Sequence, residues 1–211
     1  MFGDIYSNKK VLITGNTGFK GSWLSVWLLK LGAKVYGLSK DIPTEPSMFK
    51  ELEIKNKIHH YEKDVRDLDS VGSIIEQVKP DFVFHLAAQA LVSVSYSDPI
   101  ETITTNVIGT TNILDALKQS NHHCVGIFIT SDKCYDNVEW EWGYKETDAL
   151  GGKDIYSGSK GAAEVVFKSY FHSFFNSDKS NVKVATTRAG NVVGGGDWAK
   201  DRIVPDCMRA W

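Results

Sequence analysis

Tyr156 and Lys160 stand four residues apart in YSGSK, the spacing that brings two side chains onto one face of a helix. Tyrosine is a poor base at neutral pH, but a neighbouring ammonium favours the phenolate and lets it accept a proton from an alcohol. Upstream, TSDKCY at 130–135 sets Ser131, Asp132 and Lys133 side by side at the end of an apolar run. A serine hydroxyl there can hydrogen-bond to the same alcohol and orient it. Asp132 and Lys133 add two titratable groups that simple alcohol oxidation does not need. One can protonate a departing hydroxyl while the other, neutral part of the time, removes a carbon-bound proton made acidic by an adjacent ketone. Oxidation followed by loss of water fits this set. A blander reading fits it too, with Ser131 and Asp132 capping the next segment, Lys133 in solvent and the Tyr/Lys spacing fortuitous.

Oxidation needs a hydride acceptor, and the N-terminal residues supply a cradle for one. VLIT at 11–14 runs straight into TGNTGFKG, with Gly15, Gly18 and Gly21 in G-x-x-G-x-x-G spacing ahead of the apolar segment Ser22–Leu31. Glycine permits the sharp turn, the close approach of a pyrophosphate and tight helix-on-strand packing, and the helix N-terminus faces the phosphates. The alternative is a glycine turn without a ligand. Dinucleotide binding implicates the rest of the turn, Asn16, Thr17, Phe19 and Lys20, as cofactor neighbours. A cationic nicotinamide would favour tyrosinate further, and Lys160 can also bind the nicotinamide ribose. At the end of the second strand, where a carboxylate would meet the adenine-side ribose, stands Ser39, followed by Lys40 and Asp41. Asp41 can reach the ribose or simply begin the loop, and Lys40 can favour a phosphate. Asp64 and Val65 are expected near the adenine, Leu86, Ala87, Ala88 and Gln89 along the cofactor, and Asn106 and Thr130 close to it. His85 reads as a packed strand-end residue.

These residues need a scaffold of βα units. Apolar strand candidates at 11–14, 35–38, 58–61, 82–86, 124–130 and 182–188 alternate with helical patterns around 67–78, 100–119 and 157–175. Near-continuous apolar runs suit buried parallel strands. The expected fold is α/β, a Rossmann-like, mostly parallel sheet flanked by helices. The stretch from Lys40 to Lys57 holds Pro43 and Pro46 and only a short helix around 48–54. Of 211 residues, 24 are Lys or Arg and 26 Asp or Glu, a net charge of −2 that argues against a nucleic-acid surface. Cys124, Cys134 and Cys207 lack C-x-x-C spacing, and His59–His60 and His122–His123 read as exposed pairs, so no metal is expected. No run approaches membrane-spanning length, and a cytoplasmic protein is expected.

The chain resembles the extended short-chain dehydrogenase/reductases and, more narrowly, the CDP-glucose 4,6-dehydratases. The resemblance runs from Lys9 to Trp211 through TGNTGFKGSW, HLAAQ, TSDKCYDN, EWEWGYKETDALGGKDIYSGSKGAAE, TRAGNVVGGGDW and DRIVPD. The glycine and Tyr/Lys motifs mark the broad superfamily, whereas Ser-Asp-Lys, the Trp-rich 140–142 passage, GGGDW and DRIVPD are more specific. The resemblance implies NAD as cofactor, CDP-glucose or another nucleotide-sugar as substrate, and a homodimer paired through helices around 100–119 and 157–175. It also implies a part in making deoxysugars for bacterial lipopolysaccharide. By the same resemblance Ser131 meets the glucose 4-hydroxyl, Asp132 is the acid for the 6-hydroxyl and Lys133 stands where relatives carry a glutamate base. Arg188, Asn191 and Arg202 become candidates for positioning the nucleotide-sugar, the first two equally able to serve the loop fold instead. Residues 9–189 are expected to form the dinucleotide-binding domain and 190–211 the beginning of a sugar-binding region, the chain looking C-terminally truncated. Another nucleotide-sugar dehydratase, an epimerase, or a non-catalytic dinucleotide-binding fragment are the alternatives.

Overall fold

The computed structural model describes residues 2–211. Its strands are β1 (Lys10–Thr14), β2 (Lys34–Ser39), β3 (His59–Glu62), β4 (Phe82–His85), β5 (Cys124–Ser131) and β6 (Val182–Ala189). They form a six-stranded sheet in the order β3-β2-β1-β4-β5-β6. Every pairing is parallel, which gives the doubly wound, Rossmann-like arrangement. The helices are α1 (Phe19–Lys30), α2 (Met48–Glu51), α3 (Leu68–Val78), α4 (Val92–Ser97), α5 (Pro99–Ile103), α6 (Gly109–Lys118), α7 (Ile155–Tyr170) and α8 (Ile203–Ala210).

Side chains alternate across the sheet, and two cores result. Leu12, Leu38, Val83 and Phe128 pack with Val71 and Ile75 of α3, Ile113 and Leu117 of α6 and Phe167 of α7. Val11, Ile13 and Val35 face the other way, onto Leu28 of α1. Two of the expected helices are less regular than their patterns suggest. The 100–119 pattern divides into α5, a π turn at Thr104–Ile108 and α6, and the 157–175 pattern ends in a π turn at Phe171–Phe175. The sequence pattern did not reveal α4, whose VSVSYS has neither a cap nor an apolar stripe. The 48–54 helix shortens to α2 and a separate 3-10 turn at Ile54–Asn56.

Two histidines expected to be exposed are half-buried. His60 alternates inward on β3 and meets Asn16, and His122 is tied to Ser120 Oγ and, at 3.1 Å, to the Pro80 carbonyl. His85 is the packed strand-end residue expected of it. It lies between Thr14 Oγ1 at 2.7 Å and Thr110 Oγ1 at 3.1 Å, and meets the Phe128 ring edge-on.

Burial, with Lys160 nearby, pushes the His85 imidazole down to about 3, so the folded protein keeps it neutral while the unfolded chain protonates it near 6.5. Because the folded value is the lower one, the stability it contributes is complete above pH 6.5 and is lost as pH falls toward 3. Denaturant titrations from neutral pH down to about 5 should show the wild type losing up to about 1.4 kcal/mol per pH unit from this residue. His85→Gln should lack that component, and equal slopes in the two proteins would contradict it.

Candidate active site

The first strand ends at a turn that only glycine can make. Gly15 has φ +74°, and a Cβ there would stand 2.7 Å from the backbone nitrogen of Ala87. At Gly21 a Cβ would stand 2.1 Å from the Gly15 carbonyl, so this glycine lets α1 pack against the turn. Gly18 differs: the nearest atom to a Cβ is the Gly15 carbonyl at 3.5 Å, and its open side faces the cavity. A pyrophosphate fits a cradle in which two glycines serve the fold and the third leaves room for a ligand.

Asn16 was expected beside the cofactor, but the structure turns it away from the cavity and buries it. Its Oδ1 accepts from Ser39 Oγ at 2.8 Å and its Nδ2 donates to His60 Nδ1 at 3.2 Å. Burial, chiefly, holds His60 below its ordinary pKa, which suits an imidazole nitrogen acting as acceptor. Asn16 thus braces the turn from behind. Thr17 fastens the same turn to the chain after β2 by donating to the Asp41 carbonyl at 2.7 Å.

The cavity has a volume of about 940 Å³. Gly15, Thr17, Gly18, Phe19, Lys20 and Gly21 line one wall, and Leu86, Ala87, Ala88 and Gln89 line another. Ser39, Asp64 and Val65 line it beyond the ends of β2 and β3, where the adenine was expected. Ser39 has no carboxylate to offer a ribose, and its hydroxyl proton is already committed to Asn16. Four charges cross this end instead: Lys40 pairs with Glu101, Glu101 with Arg66, and Arg66 with Asp64 at 2.6 Å. Arg66 holds the Asp64 carboxyl below its usual range. Glu101 was not recognised in the sequence, because its place at the rim depends on tertiary folding that brings α5 to Lys40 after β2 and Arg66 after β3.

Residues beyond β6 roof the cavity, with Asp197–Arg202, Asp206 and Arg209 among its lining. Arg202 is there as expected, 3.6 Å from Asp197, and its Nε is a buried nitrogen without a hydrogen-bond partner among the described residues. Lys20 is lowered from its ordinary pKa by burial and by the charge of Arg202. Two underpaired cations at one end suit an anionic ligand. Asn191 is exposed and does not line the cavity.

The expected catalytic residues meet on α7 and at the end of β5, within electrostatic reach of Lys20 and Arg202, although none of Ser131, Asp132, Lys133, Tyr156 and Lys160 lines the cavity itself. Asp154 caps α7 by accepting from the Ser157 amide at 2.9 Å, which sets Tyr156 and Lys160 one turn apart on a buried face. The Lys160 ammonium lies 5.9 Å from the Tyr156 ring centroid. Burial raises the Tyr156 phenol, opposed by the Ser131 hydroxyl beside it and by the charge of Arg202. Burial also pulls the Lys160 ammonium down to about 8, with Lys20 adding to the effect. Ser131 ends β5, donates to Asp132 Oδ1 at 3.0 Å and accepts from the Lys133 amide at 3.2 Å. The capping role is therefore real, and Asp132 and Lys133 are exposed on the turn that Ser131 caps.

Three other candidates sit behind the site. Asn106 is buried and joins Gln89 to α7, donating to the Gln89 carbonyl at 3.1 Å and to Ser159 Oγ at 2.9 Å. Thr130 donates to Glu164 Oε1 at 2.5 Å. Arg188, expected on the substrate, does not line the cavity, and its guanidinium is held by Glu164 Oε2 at 3.0 Å and the Glu146 carbonyl at 3.2 Å. Neutralised by a buried carboxylate, it belongs to the scaffold.

Comparison with known proteins adds a second line of argument. CDP-glucose 4,6-dehydratase of Salmonella typhimurium is 48% identical over 99% of this chain, which spans 59% of that protein. dTDP-D-glucose 4,6-dehydratase of Dictyostelium discoideum is 30% identical over 93% of this chain and is spanned to 46%. The chain thus spans about half the length of these curated relatives. Among solved structures, UDP-glucose 4-epimerase of Thermus thermophilus in complex with NAD superposes with a TM-score of 0.77. It is 28% identical, with 91% of this chain and 58% of that one covered. The family described as GDP-mannose 4,6 dehydratase matches residues 12–191. That match takes in the glycine turn, the Ser131 strand end and the Tyr156–Lys160 helix alike, and the chain belongs to this family as a CDP-glucose 4,6-dehydratase-like short-chain dehydrogenase/reductase.

Proposed function

We propose that this chain binds NAD and carries the proton-transfer residues of a CDP-glucose 4,6-dehydratase, which makes CDP-4-keto-6-deoxyglucose. One juxtaposition carries the reading: Tyr156 and Lys160 on α7 meet Ser131 at the end of β5, with Asp132 and Lys133 following, beside a glycine cradle. The likeness to the Salmonella enzyme supports the substrate, and the NAD-bound epimerase supports the cofactor. Residues 9–189 serve the dinucleotide, and 190–211 begin the part that serves the sugar.

Storage of a hydride between its removal from C4 of the glucose and its return to C6 is the chemistry that NAD supplies when bound. Tyr156, as phenolate, takes the proton of the 4-hydroxyl while Ser131 hydrogen-bonds to that oxygen. Lys160 stabilises the phenolate through its charge and binds the nicotinamide ribose. The resulting 4-ketone acidifies C5–H. Lys133 takes that proton, and Asp132 donates one to the departing 6-hydroxyl, which leaves as water. Once C6 has its hydride, Lys133 returns a proton to C5. The proton held by Tyr156 passes through solvent to replace the one Asp132 gave up, so the turnover balances with water as the group lost.

A homodimer and a place in bacterial lipopolysaccharide deoxysugar synthesis belong to the same reading. Ile100, Ile103 and Ile108 around α5 and α6, and Val165 on α7, are exposed apolar residues that a second copy can cover. A monomer that persists at all concentrations in sedimentation would remove the dimer.

Two experiments test the reaction. Incubation with NAD and CDP-glucose should give a product lighter by one water, and Tyr156→Phe should slow its formation at least about 100-fold. A product isomeric with the substrate would indicate an epimerase instead, and undiminished turnover by Tyr156→Phe would remove the tyrosine from the mechanism. Gly18→Ala should fold with stability within about 0.5 kcal/mol of wild type, since no protein atom opposes the new methyl. It should nevertheless bind NAD at least about tenfold more weakly, and full affinity would place the pyrophosphate elsewhere.

A further inference from the structure

Glu164 has no part in the chemistry above, yet it lies on the same buried face of α7, one turn beyond Lys160, with 4% of its side chain exposed. A carboxylate there is tolerated only when its oxygens are bonded. Oε1 accepts from Thr130, the residue before Ser131, and Oε2 accepts from Arg188 at 3.0 Å and Thr186 at 3.3 Å. Thr130 and Arg188 are register partners across β5 and β6. One buried carboxylate therefore joins the helix of Tyr156 and Lys160 to the strand that ends in Ser131.

Arg188 extends the connection outward. Its guanidinium lies 4.9 Å from the Tyr135 ring centroid and bonds to the Glu146 carbonyl. Tyr135 stacks on Tyr144 at 5.0 Å, and Tyr144 packs on Trp140 at 5.5 Å. The Tyr144 hydroxyl donates to Asn137 Oδ1 at 2.9 Å and accepts from the Val138 amide at 2.8 Å. The Trp-rich passage that follows Ser131–Lys133 is thereby built as an aromatic stack on an arginine, and the arginine is fixed by Glu164.

We propose that Glu164 and Arg188 are positioning residues for the dehydratase reaction: Glu164 keeps Tyr156 and Lys160 in register with Ser131, and Arg188 docks the 135–146 segment beside the Ser131–Lys133 turn. The proposal rests on the reaction read above, and its geometry is separable from it. Glu164 also bears on Lys160 electrostatically, since its negative charge favours the protonated ammonium.

Glu164→Gln and Arg188→Lys test this in the full chain. With CDP-glucose and NAD, Glu164→Gln should lower kcat at least about tenfold through misalignment. KM and the Kd for NAD should change less than about twofold, because neither residue lines the cavity. Its alkaline limb should move to lower pH, since Lys160 loses a neighbour that keeps it protonated. Hydrogen exchange read by mass spectrometry needs no turnover. Glu164→Gln should speed exchange in both the first turns of α7 and the 135–146 segment. Arg188→Lys keeps the charge but loses the planar stack and fork, and should loosen 135–146 alone. Wild-type kcat and an unmoved pH limb in folded Glu164→Gln would overturn the proposal, as would exchange that rises uniformly over the sheet in both variants. A wild-type chain inactive on CDP-glucose would count against the dehydratase reading, while the exchange pattern would still decide the geometry.

Discussion

Parallel pairing on both sides of β1 is the constraint from which the site follows. β2 lies on one side and β4 on the other, so the chain leaving β1 and the chain leaving β4 must turn in opposite directions and open a crevice between them. Gly15 lies in that crevice against the backbone of Ala87, closer than any side chain would allow. The crevice fixes where a dinucleotide can lie, and the order of β5 and β6 then fixes where Ser131 and its neighbours can reach it. Nothing in the chemistry of Tyr156 or Lys160 would matter if the sheet were ordered otherwise.

A second constraint is the burial of charge at the catalytic helix. Lys160, Glu164 and Tyr156 occupy one face of α7, and each is held by a different compensation. Glu164 is satisfied by two threonines and an arginine. Lys160 is less well compensated, which is why burial draws it down to about 8. An ammonium poised near its own pKa responds to whatever charge arrives beside it, and in the proposed reaction that would be a cationic ring on one side and a phenolate on the other. Lys20 and the buried Nε of Arg202 extend this underpaired positive charge toward the cavity, where a diphosphate would answer it.

The end of the cavity beyond β2 and β3 follows a different logic. A lone carboxylate after β2 would have marked the ribose site, but Ser39 is occupied in bracing Asn16. The charges at this end come from three separate segments, Lys40, Asp64–Arg66 and Glu101, and they form a chain of ion pairs running from Lys40 to Asp64. Pairing Lys40 with Glu101 removes a free ammonium from the place where a 2′-phosphate would seek one, in keeping with NAD as the cofactor. Arrangements of this kind have no short motif, because their members meet only when folding brings α5 to the segments that follow β2 and β3.

Local chemistry was legible wherever a residue's job is done within its own element. Apolar runs marked the inner strands because a buried parallel strand is apolar on both faces, whereas the edge strands β3 and β6, HHYE and VKVATTRA, mix polar and apolar residues; the glycine spacing marked the turn because only glycine adopts it. Tyr156 and Lys160 could be paired by helical periodicity alone. The π turns in the 100–119 and 157–175 stretches were not legible, since they break a period that the side chains still follow. Direction was also hidden: Asn16 sits in the middle of the cofactor motif yet points into the core, and Arg188, equally able to position a nucleotide-sugar or serve the fold, is spent on Glu164. The sequence by itself determined the fold class, the glycine turn after the first strand and the pairing of Tyr156 with Lys160 on one helix face, all consequences of nearest-neighbour spacing. Which polar side chains face the ligand and which brace the scaffold was decided only by tertiary structure, because a buried charge goes to the partner that packing brings within reach.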